Sequence, residues 1–339
     1  MPTIIDVEKE SGVSRSTISR YLNGKKVIGE NRIKIESAIQ QLSYQRNPMA
    51  SGLKSSKTYT VGCVLPDITD PFFPQIIKTF QKYMREHGFQ TILNNYGNDL
   101  ELEIDQVKIL ANKRVDGLVI ATGNANGKHI QECLNENLPV VLVDRLIDGL
   151  ECDSVTVDNY RATYDAISLA IRKGHTKIGY VNGPEVYTDI VRFNGFKDAM
   201  QKNGLPIIDD YIVRADLIEH DASRQFMRLL NMPSPPSLIF CSNVYLAMGA
   251  FEAMVEYGLS IPKDVSVMTF DRLSAFPYYG FTKCIKPEFT SIHQPLTEMG
   301  IKTAQILLKR LEMGMENYKP IKTELKTSFF ITESVADHY

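Results

Sequence analysis

The chain has 339 residues, 43% apolar and 23% charged, a balance that fits a folded protein of two or three domains and excludes a long disordered or fibrous region. The net charge of −2 is unevenly spread: residues 1–60 hold ten Lys and Arg against five Asp and Glu, and the other 279 residues hold 28 against 35. A small basic module able to sit on phosphates therefore precedes an acidic body that nucleic acid would repel.

In the basic module, Thr3 is placed to cap a helix carrying Ile5 and Val7, and Gly12 breaks that helix shortly before a second cap at Ser14. The second helix is expected from Arg15 to about Leu22; Ile18 and Leu22, four apart, share one face, while Arg15, Ser16 and Ser19 point elsewhere. A third amphipathic segment with Ile33, Ile35, Ile39 and Leu42 closes a three-helix core. Such a unit offers the N-terminal end of its second helix to the major groove, where side chains and helix-end N–H groups meet bases and phosphates.

The run D-V-E-K-E-S-G-V-S-R-S-T-I-S-R-Y-L-N-G (Asp6 to Gly24), followed by L-S-Y-Q-R-N-P-M-A (Leu42 to Ala50), resembles the headpiece of the LacI/GalR family of bacterial transcription regulators. The resemblance implies base readout from Arg15 and Ser16, with Arg20 at a base edge or a phosphate, and phosphate contacts from Ser14, Ser19, Asn23, Asn31 and Tyr44. It also implies a hinge over Asn47 to Leu53 that becomes a short helix on operator DNA, with Asn47 and Ala50 at the DNA and Leu53 wedged into the minor groove. Pro48 suits a first helical position, whereas Gly52 costs ~1 kcal/mol relative to Ala. A plain linker through Lys54, Ser55 and Ser56 is the competing reading of this stretch. Two positions depart from the family pattern. Ile28 stands where Ser or Thr usually caps the third helix, which leaves Gly29 the role at a loss of up to ~1 kcal/mol, and Glu8 stands where a small Ala is usual.

Beyond residue 58, short β-rich runs alternate with helical stretches: Thr60 to Leu65, Gln90 to Asn95, Gly117 to Ala121, Pro139 to Val143, Lys177 to Val181, Ser237 to Cys241 and Val265 to Phe270. Amphipathic segments lie between and after them, among them Ile76 to Glu86, Glu103 to Lys113, Ala162 to Lys173 and Leu296 to Met313. This order predicts an α/β protein with parallel sheets covered by helices. The motifs R-V-D-G-L-V-I (Arg114 to Ile120), V-D-R (Val143 to Arg145), G-H-T-K-I-G-Y-V-N-G-P (Gly174 to Pro184) and F-D (Phe270, Asp271) extend the family resemblance along the whole chain. It implies a helix-turn-helix headpiece over 1–46, a hinge over 47–58 and a core over 59–339 like that of periplasmic sugar-binding proteins. The core would split into one subdomain of about 59–158 and 295–319 and another of about 159–294 and 320–339, with crossings near Asp158, Gln294 and Lys319.

Ligands of such sheets bind beyond the carboxyl ends of the strands. The loops to inspect are therefore D-I-T-D-P-F-F after the first strand, Asp144 with Arg145, Arg192, Asn243, and Asp271 with Arg272. Phe72 or Phe73 suits stacking on the apolar face of a pyranose, and Asp, Asn and Arg suit paired hydrogen bonds to its hydroxyls. By family position, Phe73, Arg192, Asn243 and Asp271 are implied ligand contacts. Many sugar-binding members have a carboxylate where this chain has Val244, and Arg272 adds a guanidinium. With Arg145, Arg192 and Arg272 all at strand ends, the expectation is an anionic effector such as a sugar acid or sugar phosphate.

Other chemistry is not signalled. Gly123 to Lys128 lacks the glycine spacing of a phosphate-binding loop, the six histidines show no metal-binding pair, and there is no G-x-S-x-G elbow. No metal, cofactor or catalytic role is expected. Cys63, Cys133, Cys152, Cys241 and Cys284 form no C-x-x-C pair, which favours free thiols. The N-terminus carries acidic residues and no apolar run, and no stretch reaches the roughly 18 apolar residues of a membrane span, so a cytoplasmic protein without a membrane partner is expected. Two readings result. One is a homodimeric repressor on operator DNA, controlled by a sugar-like effector; the other is a solute-capture protein in which residues 1–58 are incidental.

Overall fold

Thr3 and Asp6 cap each other reciprocally: the Thr3 backbone N–H donates to Asp6 Oδ2 at 2.8 Å and Asp6 N–H donates back to Thr3 Oγ1 at 3.4 Å. This starts α1 (Ile4–Ser11), which ends at Gly12 with a left-handed φ of +64°. Helices α2 (Arg15–Leu22) and α3 (Glu30–Gln41) follow. Val7, Val13, Ile18, Ile35 and Ala38 make the buried centre. Ile5 and Ile33 are exposed, in the case of Ile33 against the expectation that it helps close the three-helix core. Ile35, Ala38 and Leu42 follow the helical three-to-four spacing, and Ile33 falls on the opposite side. Gly29 does take the cap position of α3, at φ +73° and ψ −153°, a conformation that only glycine adopts readily.

The structure, a computed structural model, describes residues 2–22, 26–44, 57–216, 220–276 and 286–339. Asn23, Asn47, Ala50 and Leu53, and so the expected minor-groove wedge, lie outside the described residues, as does Cys284. The chain divides into two units, Met1–Tyr59 and Thr60–Tyr339.

The second unit holds two six-stranded sheets. The first contains β1 (Thr60–Leu65), β2 (Gln90–Asn95), β3 (Gly117–Ile120), β4 (Val140–Val143), β5 (Asp153–Val157) and β11 (Lys322–Leu325), in the order β11-β5-β4-β3-β1-β2. The second contains β6 (Ile178–Asn182), β7 (Ile212–Arg214), β8 (Leu238–Cys241), β9 (Ser266–Phe270), β10 (Thr290–His293) and β12 (Ser328–Phe330), in the order β12-β10-β9-β8-β6-β7. The same winding is thus used twice, all parallel except that β12 runs antiparallel to β10. Strands β1, β3, β4, β8 and β9 are almost fully buried, as strands covered by helices on both faces must be, and β3, β4 and β8 are almost continuous Val, Ile, Leu and Phe.

Helices α4 (Phe72–Glu86), α5 (Leu100–Asn112), α6 (Lys128–Asn135) and α11 (Leu296–Met313) cover the first sheet; α7 (Asn159–Arg172), α8 (Tyr187–Lys202), α9 (Asp221–Leu230) and α10 (Val244–Tyr257) cover the second. The chain passes between the halves at Asp158, at Gln294 and Pro295, and at Lys326 and Thr327. The third passage was expected near Lys319. It comes later because Lys322–Leu325 first pairs with β5 in the first sheet. Its sequence, Lys-Thr-Glu-Leu, is an edge strand with two charged side chains outward, and it carries little hydrophobic signal. The passages are tied together: Thr327 N–H donates to Asp158 Oδ1 at 2.9 Å. The first half is further pinned by Arg310, whose Nε and Nη2 donate to both carboxylate oxygens of buried Asp153 at 2.7 and 2.9 Å.

Candidate functional site

In the first unit, Ser14, Arg15 and Ser16 are exposed at the start of α2, Arg20 is exposed in its last turn, and Ser19, just before it, is half-buried. Ser14 Oγ lies 3.0 Å from both Ser16 Oγ and Thr17 Oγ1. Asn31 is exposed in the first turn of α3, and Tyr44 is half-buried against the headpiece core. Glu8 has a specific partner: its Oε2 lies 2.8 Å from Arg15 Nε, and its Oε1 accepts the Arg15 backbone N–H at 3.2 Å. The carboxylate therefore holds the guanidinium over the N-terminal end of α2. Tyr21 Oη and Arg32 Nε both donate to Glu36 Oε1 at 2.8 Å, which braces α2 on α3 and raises the Tyr21 pKa through its bond to that carboxylate.

In the second unit, the carboxyl ends of β1, β4, β6, β8 and β9 converge on a cleft between the sheets. Phe72, Phe73, Arg145, Arg192, Asn243 and Asp271 all line it. Arg272 does not. Its guanidinium lies 3.4 Å from the Phe330 ring centroid and 3.3 Å from Glu288 Oε2, which also accepts the Ser274 hydroxyl at 2.6 Å. The effector contact expected of Arg272 is thus corrected: an aromatic face and a carboxylate draw its side chain away from the cleft.

Arg192, on α8, is buried and fixed from three sides. Its Nε donates to Asn159 Oδ1 at 2.8 Å, its Nη1 to the Ser242 carbonyl at 2.7 Å, and its guanidinium carbon lies 3.6 Å from the Phe270 ring centroid. Arg145 Cζ lies 5.7 Å from the Phe73 ring centroid and its Nε 3.8 Å from Asp144 Oδ2, too long for a hydrogen bond. Arg145 Nε and Nη1, Asp144 Oδ1 and Gln294 Oε1 are buried without a hydrogen-bond partner among the described residues. Asn243 caps α10 by accepting the Leu246 N–H at 3.1 Å with its Oδ1. That use of the oxygen leaves its amide nitrogen as the group available to a ligand.

Two further carboxylates line the cleft that were not singled out in the sequence. Asp189 sits one turn before Arg192 on α8, and its Oδ1 accepts the Ser242 hydroxyl at 2.8 Å. Asp70, in the loop after β1, accepts the Phe72 N–H at 2.7 Å. With Asp144 and Asp271 they make four carboxylates against two guanidinium groups. Burial pushes all four up: Asp70 to about 7, against the pull of the Phe72 N–H, and Asp144 to about 6, against Arg192 and Arg145. Asp189 and Asp271 are raised in the same way, each held down most by Arg192. The expected shortage of counter-charge for arginine is reversed, and with it the argument for an anionic effector. The floor is apolar where Val244 lies, and Tyr245 Oη donates to Asp67 Oδ2 at 3.4 Å, linking α10 to the loop after β1. The loop at Gly123 is structural: buried Glu103 accepts the Gly123 N–H at 2.8 Å and pairs with His129 at 2.9 Å, so a phosphate there would meet a carboxylate.

Residues 58–333 match the family described as periplasmic binding proteins and sugar binding domain of the LacI family, and residues 3–47 match the bacterial regulatory proteins of the lacI family. Catabolite control protein A of Priestia megaterium is 31% identical over 91% of this chain and 92% of its own length. A LacI family transcriptional regulator from Enterococcus faecium, solved with bound ribose, is 27% identical with a TM-score of 0.71, over 83% of this chain and all of that one. The Lac repressor dimer bound to operator and the anti-inducer ONPF shares the fold at a TM-score of 0.83, with 22% identity over 99% of both chains.

Proposed function

The chain belongs to the LacI family of bacterial regulatory proteins, and on that premise we propose how its two sites divide the work. It is a DNA-binding transcriptional regulator and not an enzyme, and its effector is a small sugar-like molecule. Arg15 and Ser16 read base edges from the start of α2, while Arg20 and the polar side chains of Ser14, Ser19 and Asn31 hold the backbone. The effector lies in the cleft between the sheets. Arg145 and Asp144 on one wall, and Arg192, Asn243 and Asp271 on the other, present donors and acceptors in pairs to its hydroxyls, and the edges of Phe72 and Phe73 take its apolar face.

A ligand touching both walls favours one orientation of the two halves about their three passages, and that shift alters the placement of paired headpieces on an operator. The protein works as a homodimer on a near-palindromic site, in the cytoplasm where that DNA lies. Exposed Leu93 on β2, and Leu100, Leu102 and Ile109 on α5, supply apolar surface suited to a second copy. The observation that carries the reading is that one cleft brings the unpartnered donors and acceptors of Arg145 and Asp144 together with the fixed Arg192. A solute-capture role leaves the DNA-reading surface of residues 3–47 unexplained.

The test is selection of bound sequences from random duplex DNA, followed by gel shifts on the selected site with and without a panel of sugars. Recovery of a two-fold symmetric site whose binding responds to a sugar supports the reading. Binding without sequence preference, or selected DNA indifferent to every sugar, defeats it.

A further inference from the structure

We propose that the effector of this cleft carries a positively charged amino group as well as hydroxyls, which makes an amino sugar the class of ligand that fits; the inference rests on the reading of the cleft as the sugar site. Each half of the molecule contributes two carboxylates and one guanidinium: Asp70, Asp144 and Arg145 from the first, Asp189, Asp271 and Arg192 from the second. Neither arginine neutralises its neighbours by a hydrogen-bonded ion pair. Arg192 spends its Nε and Nη1 on the neutral oxygens of Asn159 and Ser242, and Arg145 stops 3.8 Å short of Asp144. The third arginine of the region, Arg272, is committed to Glu288 outside the cleft.

The missing positive charge has few sources within the protein. His293 lies near Asp271, but burial holds its pKa below the usual value, so it is neutral at physiological pH. Among the described residues no group of three His, Cys, Asp or Glu side chains is arranged to hold a metal ion. What the cleft lacks is therefore a ligand that brings charge and hydrogen-bond donors together. Two buried acceptors, Asp144 Oδ1 and Gln294 Oε1, have no donor. An ammonium group offers three donors and one charge. The unpartnered Nε and Nη1 of Arg145 need acceptors, which ring and hydroxyl oxygens of the same ligand supply. A carboxylate or phosphate in this cleft would join four acids already short of compensation. A wholly neutral sugar would satisfy the hydrogen bonds yet leave the charge to be removed by proton uptake on the raised carboxyls of Asp70 and Asp144.

Calorimetric titration of the full chain near neutral pH, with matched sets, separates these cases: glucose, glucosamine and glucuronic acid, and the galactose and mannose counterparts. In at least one set the amino member is expected to bind about tenfold or more tighter than the neutral one, equivalent to about 1.4 kcal/mol. Asp144→Asn should narrow that gap by weakening the amino member more than the neutral one, and its thermal melt checks that the fold is intact. Repeating the titrations in buffers of different ionisation heat should reveal proton uptake with the neutral sugar and little with the amine. Equal or tighter binding of the neutral or acidic member in every set that binds overturns the amine inference and leaves the sugar site standing. If no member of any set binds, the sugar reading falls and takes the amine with it.

Discussion

Asp144 and Asp271 are equivalent residues in the two halves. Each follows the fourth strand of its half, β4 or β9, each is buried, each has a left-handed backbone, at φ +68° and +73°, and each is followed by arginine. The left-handed turn after the strand swings both carboxyl groups into the cleft, and Asp tolerates that conformation better than larger or β-branched residues do. The repeat ends at the next residue: Arg145 enters the cleft, and Arg272 leaves it for Phe330 and Glu288.

At Asp271, Asn should be accepted because it keeps an acceptor for Gln294 Nε2, now 2.8 Å away, and suits the left-handed backbone. Val loses that acceptor and adds backbone strain of about 1 to 3 kcal/mol. Urea unfolding should place Asp271→Asn near wild type and Asp271→Val well below it; equal midpoints for the two variants would refute the role given to the backbone.

The raised carboxyls make stability fall with rising pH. Asp70 and Asp144 titrate at about 7 and about 6 in the folded protein, against 3.8 for an ordinary Asp. Between those values the folded chain binds more protons than the unfolded one, so the slope of unfolding free energy with pH is negative. In the absence of ligand the melting temperature should drop between about pH 4 and about pH 7. The double variant Asp70→Asn, Asp144→Asn should drop less, and parallel curves for wild type and variant would locate the pH dependence elsewhere.

Arg192 is the largest favourable charge for Asp144, Asp189 and Asp271. Replacing it with Met removes that compensation together with hydrogen bonds to Asn159 and Ser242. The expected cost at neutral pH is about 3 to 5 kcal/mol, shrinking in acid as the three carboxyls protonate. Urea unfolding at both pH values checks the pair of numbers. A cost that does not shrink in acid would mean that packing on Phe270 dominates.

The strand cores were legible because fully buried parallel strands must be apolar runs, and Thr60–Leu65 appears with the bounds its composition implies; Gln90–Asn95 also has the expected bounds, although it is an edge strand with no buried residue. β11 was not legible, since an edge strand with outward Lys and Glu has no such run. In the cleft, strand-end position pointed to Arg145, Asn243 and Asp271, whereas Arg192, inside α8, followed from the family resemblance. Asp189 could have been found as well, because a residue three before Arg192 on a helix shares its face. Asp70 lies within the D-I-T-D-P-F-F run, beside Phe72 and Phe73, whose rings carry the plainer sugar-binding signal. The direction of Arg272 was beyond local reading: it is set by Glu288 and Phe330, which only the folded chain brings beside it.

The bidentate pair of Arg310 with Asp153 is a second point where one substitution should be costly. Asp153 is fully buried, and its Oδ1 also accepts the Ile321 N–H at 2.6 Å, joining α11, β5 and the segment leading into β11. Arg310→Met leaves the carboxylate buried without its cation, at an expected cost of about 3 to 5 kcal/mol. A loss under about 1 kcal/mol in chemical denaturation would show the pair to be dispensable.

Glu8 and Arg15 give the last prediction. On the proposed docking, Arg15 would reach DNA with a guanidinium already held 2.8 Å from a carboxylate, so binding would require that contact to be shared or broken, and Glu8 would meet the phosphates as a like charge. The pair is largely exposed and is worth only about 0 to 1 kcal/mol to the headpiece. Glu8→Ala should therefore leave the headpiece folded, held by Val7, Ile18 and Ile35, and tighten DNA binding overall. The ordering of Arg15 has the opposite value for specificity: a guanidinium fixed over the start of α2 reads one base edge, whereas a released one also finds phosphates. The ratio of selected-site to random-site affinity should then fall in Glu8→Ala even as both affinities rise, and Arg15→Ala should lose about 1 to 3 kcal/mol of discrimination at one base pair per half-site. Fluorescence anisotropy on selected and scrambled duplexes at two salt concentrations measures both quantities. If Glu8→Ala improves the two affinities by the same factor, Glu8 acts on DNA through its charge alone and does not position Arg15.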